Sequence, residues 1–282
     1  MKKILYTTDF SKNAEQALPI ALKLAKKHHA EIHLLHVFDI PTSWDYPYTE
    51  EPLEMERQAI RESEKKLNEL FVQYSSDSVE GLKVIYHVIE NPSVVDGVLS
   101  CIHDVNPDIL VIGTKGGSKA REIIVGSSTK SLLSKSPVPV LAIPENISSM
   151  EFERILYASD LYEEDIKALE QLIHILEPFQ PLIRVVHISN HDANFEAKKI
   201  EWFKELLKDR NLNKNIELIH HLSSSIAEGL ESILSKNNFD LLVMLEKERH
   251  GIIDHLFHKD LVKKMEFRTR IPLLSFNQHH IK

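Results

Sequence analysis

Apolar residues in the first 145 positions recur with two alternating periods. Short runs of Ile, Leu and Val mark strands over 3–8, 31–38, 83–89, 108–113 and 138–143, and spacings of three and four mark helices over 12–28, 53–74, 93–105 and 127–135. In the first helix Ala14, Ala17, Leu18, Ala21, Leu22 and Ala25 fall on one face, with Ser11 placed to cap its start. Pro19 inside that pattern predicts a kink or a later start. Alternation of strands and helices predicts an α/β fold whose parallel sheet carries helices on both faces.

The polar stretch 145–149 reads as a linker, after which the order begins again. Arg154-Ile155-Leu156-Tyr157-Ala158-Ser159-Asp160 repeats Lys3-Ile4-Leu5-Tyr6-Thr7-Thr8-Asp9 at an offset of 151 residues, and Val185-Val186-His187-Ile188 repeats Leu34-Leu35-His36-Val37 at the same offset. Asp240-Leu241-Leu242-Val243-Met244 answers Asp108-Ile109-Leu110-Val111-Ile112, and Ile271-Pro272-Leu273-Leu274 answers Val138-Pro139-Val140-Leu141. Two tandem five-stranded parallel-sheet domains are expected, over 1–145 and 152–282.

The copies differ where chemistry would sit. Four of the eight glycines fall between Gly113 and Gly126 and spell G-x2-G-x9-G-S directly after the strand ending at Ile112. Gly113 and Gly116 allow positive φ and a close backbone approach to a ligand. Gly126 and Ser127 precede a helix whose free amides and dipole favour an anion, so the loop reads as a phosphate site. Ser127 or Ser128 can donate to phosphate or cap the helix, and the two roles are compatible. Neither a P-loop nor a G-x-G-x-x-G turn matches this spacing. In the second copy Leu245-Glu246-Lys247-Glu248-Arg249-His250-Gly251 and Phe257-His258-Lys259-Asp260 replace the glycine loop, so its nucleotide site is expected to be lost.

The glycine spacing, with Ile4-Leu5-Tyr6-Thr7-Thr8-Asp9-Phe10-Ser11 before it and Pro137-Val138-Pro139-Val140-Leu141-Ala142-Ile143 after it, resembles the universal stress protein family. The resemblance implies an adenine nucleotide alpha hydrolase-like fold with strand order 3-2-1-4-5, which puts the ligand between strands one and four. It implies binding of ATP, or of AMP or ADP, with Mg or Mn as the accompanying cation. By the same resemblance Asp9 faces the nucleoside, the main chain at Val37 meets the adenine, and Gly113, Gly116, Gly126, Ser127 and Ser128 surround the phosphates. Asp9 has a second reading, as organiser of the turn into the first helix. The expected role is nucleotide-dependent stress sensing or regulation. The resemblance also implies a pseudo-dimer of the two copies through their fifth strands, with homodimerisation left open. Slow ATP hydrolysis or phosphotransfer is an alternative, for which Glu122 is the loop's carboxylate, and a second alternative is a C-terminal copy that holds a metabolite, a metal or a partner protein.

Composition narrows the classes. A net charge of −8 and a pI near 6.1 argue against a nucleic-acid binder. No window approaches the ~20 apolar residues of a membrane span, and no signal-peptide pattern precedes the first strand, so a cytoplasmic address is expected. The single cysteine, Cys101, reads as a small buried apolar residue. His250, Asp254, His255 and His258 form the densest group of metal-ligand types but match no zinc spacing, and they read as surface residues, with no metal site expected. His28-His29, His220-His221 and His279-His280 fall at a helix end, a strand end and the tail. Lys115, Lys119 and Arg121 could offset phosphate charge but carry no firm assignment. The aromatic insert Asp39 to Pro52 reads as an inter-domain contact or a lid.

Overall fold

In the computed structural model the Ser11 hydroxyl accepts the Ala14 amide and starts helix α1 (Lys12–His28), which ends where His29 turns into the left-handed region. Pro19 neither delays nor ends this helix. The apolar stripe from Ala14 to Ala25 is buried, and its packing outweighs the hydrogen bond that proline removes. The structure describes residues 1–40, 51–75, 81–114, 126–145, 147, 150–191, 193–212, 214–246, 271–278 and 281.

Around α1 the first half runs β1 (Lys3–Thr7), β2 (Glu31–Phe38), α2 (Glu51–Tyr74), β3 (Val84–Glu90), α3 (Val94–Val105), β4 (Ile109–Gly113), α4 (Ser127–Lys135) and β5 (Val140–Ile143). The second half runs β6 (Arg154–Ala158), α5 (Glu163–Leu176), β7 (Leu182–Ser189), α6 (Ala193–Asp209), β8 (Ile216–Leu222), α7 (Ile226–Lys236), β9 (Leu241–Glu246) and β10 (Leu273–Asn277). Among the described residues they form one ten-stranded sheet of order β3-β2-β1-β4-β5-β10-β9-β6-β7-β8. The first half has the strand order 3-2-1-4-5, all parallel. One pairing departs from the expected parallel sheets: β10 lies antiparallel to β5, through Leu273↔Ala142, Leu274↔Leu141 and Ser275↔Val140.

Each strand buries alternate residues on opposite faces. Ile4, Tyr6, Ile32, Leu34, Ile109 and Val111 pack under α1 and α2, while Leu5, Leu35, Val37, Leu110 and Ile112 pack under α3 and α4. Equivalent turns recur in the two halves. The Thr8 hydroxyl accepts the Phe10 amide and the Ser159 hydroxyl accepts the Leu161 amide, both at 2.9 Å, and Phe10 and Leu161 both have φ near +57 to +59°. His36 Nδ1 donates to the Thr8 carbonyl at 2.8 Å, and His187 Nδ1 to that of Ser159 at 2.9 Å.

The buried tyrosines end on different acceptors. Tyr6 donates to the Ala14 carbonyl at 2.8 Å, whereas Tyr157 donates at 2.9 Å to the carboxylate of Asp165, which also takes the Tyr162 amide. Burial and the Asp165 charge push the Tyr157 phenol well above its usual range. Hydrogen bonds to charged groups contribute about 1.5–3 kcal/mol against about 0.5–1.5 for neutral ones. Tyr157→Phe is therefore expected to lose more stability in urea unfolding than Tyr6→Phe. Equal losses would count against the charged-acceptor account.

Candidate functional site

The strands β1 and β4 neighbour one another while their connections leave in opposite directions, which opens a crevice beyond their carboxyl ends. A cavity of about 280 Å³ lies there, near the lower end of small-ligand clefts (~300–1,000 Å³). Asp9, Val37, Gly113, Gly126, Ser127 and Ser128 all line it. The structure thus brings together six of the seven residues singled out in the sequence. The seventh, Gly116, lies outside the described residues, as do Lys115, Lys119, Arg121 and Glu122 of the same loop.

One wall is the start of α4. Its N-cap, Gly126, has φ −60° and ψ 157°, an extended conformation open to any residue, and it offers no side chain to the amides that follow. The helices α1, α3, α5, α6 and α7 each carry an acidic residue in the first turn, and α4 carries none. The amides at its first turn and the positive end of its dipole therefore face the cavity with neither a capping side chain nor a compensating carboxylate.

Gly113 stands opposite, for a reason other than the expected one. Its φ is not positive. A Cβ there would lie 2.5 Å from the Asn13 carbonyl oxygen and 2.7 Å from the Ala14 Cα, so the glycine lets the start of α1 press against the end of β4. The corresponding residue of β9 is Leu245, 2% exposed, and the α5 backbone does not approach β9 as closely as α1 approaches β4. Glu246 follows at the position of Thr114 and is buried. The remainder of that loop, with Glu248, His250, Gly251, Asp254, His255, His258 and Lys259, lies outside the described residues.

Asp9 occupies the rim of the cleft and is exposed. Its Oδ1 accepts the Ser11 amide at 2.9 Å, so it does organise the turn into α1, and its other oxygen is free of that turn. The His36 ring packs on Phe10, with centroids 4.4 Å apart, and braces this turn from behind. Burial holds the His36 imidazole below its usual range; the bond to the Thr8 carbonyl opposes that shift and the Lys66 charge adds to it. With Nδ1 committed to a carbonyl, the neutral ring has its lone pair on Nε2.

The apolar wall was only half legible in sequence. Val37 is buried because α3 approaches it closely: a Cβ on Gly97 would lie 2.7 Å from its side chain. Beside it Val94, the first residue of α3, is 47% exposed and lines the cavity. An apolar residue directly after the cap Ser93 is the signal that could have found it. Thr8, Thr114 and Thr129 bring buried hydroxyl-bearing side chains to the same wall. Among the described residues no group of three or more His, Cys, Asp or Glu is arranged to hold a metal ion, and no helix is long and apolar enough to cross a membrane.

Comparison with known proteins bears on this arrangement. The profile of the universal stress protein family matches residues 1–144. A universal stress protein of Methanocaldococcus jannaschii is 28% identical over 152 residues, covering 50% of this chain and 94% of that protein. The solved structure of an Archaeoglobus fulgidus universal stress protein superposes with a TM-score of 0.72 at 18% identity, over 98% of both chains. A Pseudomonas aeruginosa protein of unknown function gives a TM-score of 0.62 at 13% identity, over 100% of this chain and 94% of the other. These two likenesses establish that the fold extends across both halves. With its first half matched throughout, the chain belongs to the universal stress protein family.

Proposed function

We propose that the chain binds one adenine nucleotide, ATP or a related AMP or ADP, in the cleft between β1 and β4, and acts as a nucleotide-dependent regulator. The observation that carries this reading is the uncapped, acid-free start of α4, which faces the same cavity as the Asp9 turn and the Val37–Val94 wall. Amides at the first turn of α4 hold the phosphates. Asp9 accepts hydroxyl hydrogens of the ribose, as a carboxylate with an oxygen left over from its turn can. Val37 and Val94 cover the faces of the base. Mg or Mn accompanies the phosphates, and none of the described residues is assigned to it.

In this reading residues 1–145 and 152–282 are two domains of tandem origin, joined as a pseudo-dimer through β5 and β10, and only the first keeps a nucleotide site. Leu245, in place of Gly113, supports that asymmetry, because a leucine side chain stands where the first half lets α1 press against the strand end. A cytoplasmic location and a stress-linked regulatory role go with family membership.

Titration calorimetry of the full chain with ATP and Mg tests the proposal. One site per chain is expected, and two sites, or no binding at millimolar ATP, would overturn it.

A further inference from the structure

A second cluster, remote from the nucleotide cleft, bridges β2 to the sheet edge at β3. His33 on β2 is buried and His87 on β3 is half-buried; their rings stack with centroids 5.1 Å apart, and His33 Nδ1 lies 2.8 Å from His87 Nε2. At that distance one nitrogen donates and the other accepts, so the pair holds together only while one of the two facing nitrogens is unprotonated. His33 Nε2 lies 3.5 Å from Glu31 Oε2 without a hydrogen bond between them, and the nearby carboxylate charge favours the His33 hydrogen on Nε2, which leaves Nδ1 as the acceptor. Glu31 is itself held by Lys83 at 2.6 Å, which keeps its carboxyl below the usual range and charged in acid.

The other neighbours do little to welcome a further proton. Lys3 on β1, whose Nζ reaches the Val105 carbonyl of α3, adds positive charge on the same side. The residues α3 brings to this face are Val98, Cys101, Ile102 and Val105, and burial pushes the Cys101 thiol up to about 11, so it stays neutral. On the opposite face lies α2. Burial, with the neighbouring ring as a second cause for His33, holds both imidazoles below their usual range.

We propose that the His33–His87 pair is a proton-operated latch on β3, closed while the pair is neutral and released by acid. The closed pair resists a first proton through burial and excludes a second, because two imidazolium N–H groups cannot face each other at 2.8 Å. With β3 detached, both rings reach water and titrate near the ordinary ~6.5. The sign follows from linkage: the open form binds more protons, so the closed form is fully favoured above about pH 6.5 and loses ground as pH falls below it. One extra proton raises the opening constant about tenfold per pH unit. β3 is suited to open first, since among the described residues it pairs with β2 alone and none of its residues is fully buried.

The equivalent edge of the second half provides an internal control. His187 and His220 stack across β7 and β8 at 5.9 Å, but no ring-to-ring hydrogen bond joins them. His187 gives Nδ1 to the Ser159 carbonyl and turns Nε2 toward the buried Glu196 carboxylate at 3.7 Å, and His220 Nε2 pairs with the Ser189 hydroxyl. With no ring-to-ring hydrogen bond across this pair, acid has no such bond to break at β8.

Hydrogen exchange by mass spectrometry on the full chain, at roughly pH 7.5 and 5.5 and corrected for intrinsic rates, reads both edges. Peptides over Val84–Glu90 are expected to exchange about tenfold faster at the lower pH, and those over Ile216–Leu222 to change less than about threefold. His87→Gln keeps a donor for His33 without a titrating ring and is expected to remove most of that response. Ring proton titrations of the unmodified chain give a second readout that needs no variant, with His33 and His87 protonating below free histidine. Equal acceleration of both edges, a full response in His87→Gln, or unshifted ring titrations would overturn the latch.

Discussion

Gly113→Ala is expected to destabilise the chain by about 1–3 kcal/mol although it adds only a methyl group. The three atoms nearest to a Cβ at this position, the Asn13 carbonyl oxygen at 2.5 Å and the Ala14 Cα and N at 2.7 and 2.9 Å, all belong to backbone. No rotamer change can relieve that contact, so α1 must lift from β4. In the second half Leu245 stands at this position, and the α5 backbone does not approach β9 as closely as α1 approaches β4. Lifting α1 also withdraws Ser11 and Asn13 from the cavity wall, so ATP affinity falls together with stability. Urea unfolding separates the outcomes: a loss below about 0.5 kcal/mol would show that the close approach of α1 is not what selects glycine.

Gly126→Asp is expected to separate the two effects, cutting ATP affinity by at least about 100-fold while leaving stability unchanged or raised by about 0.5 kcal/mol. Gly126 already has the backbone of an N-cap, φ −60° and ψ 157°, so aspartate fits without strain. Its carboxylate would take the amides at the start of α4 and present a negative charge where the phosphates sit. A helix without an acid in its first turn gains from such a cap, which is why binding and stability move apart. Gly126→Asn separates capping from charge, because a neutral amide blocks the same N–H groups without repelling phosphate, and an intermediate loss is expected. Unaltered calorimetric affinity in both variants would remove the start of α4 from the site.

The different stability effects expected at two glycines of one motif explain how far the sequence could be read. Periodicity located the first-half elements to within two residues at each end, because Ser11, Ser93 and Gly126 mark helix starts and apolar runs mark strands. The spacing around Gly113 and Gly126 pointed to the end of the sheet where Asp9 and Val37 also arrive and the cavity lies. Residue identity alone could not say why a glycine was needed. At Gly113 the reason is a helix distant in sequence, and φ is ordinary. Pro19 did not delay the start of α1 for a related reason, since local propensity carries no record of the buried stripe that holds the helix together. Val94 was missed because a valine exposed at a helix start has the same letter as one in the core. The His33–His87 contact joins residues 54 positions apart, and neither alone shows a pattern.

The junction between the halves comprises the three β5–β10 register pairs, Asn277 donating to the Ser134 carbonyl of α4, and His28 Nε2 of α1 bonded to the Ile175 carbonyl of α5. Between separate chains a stable complex typically buries ~1,200–2,000 Å². Here the connecting segment makes the encounter intramolecular, at an effective concentration on the order of millimolar. The consequence is economy of surface: continuity of the chain does work that a dimer would need extra contact area to do, and cutting the chain between Ile143 and Arg154 would weaken the junction without altering any of its contacts.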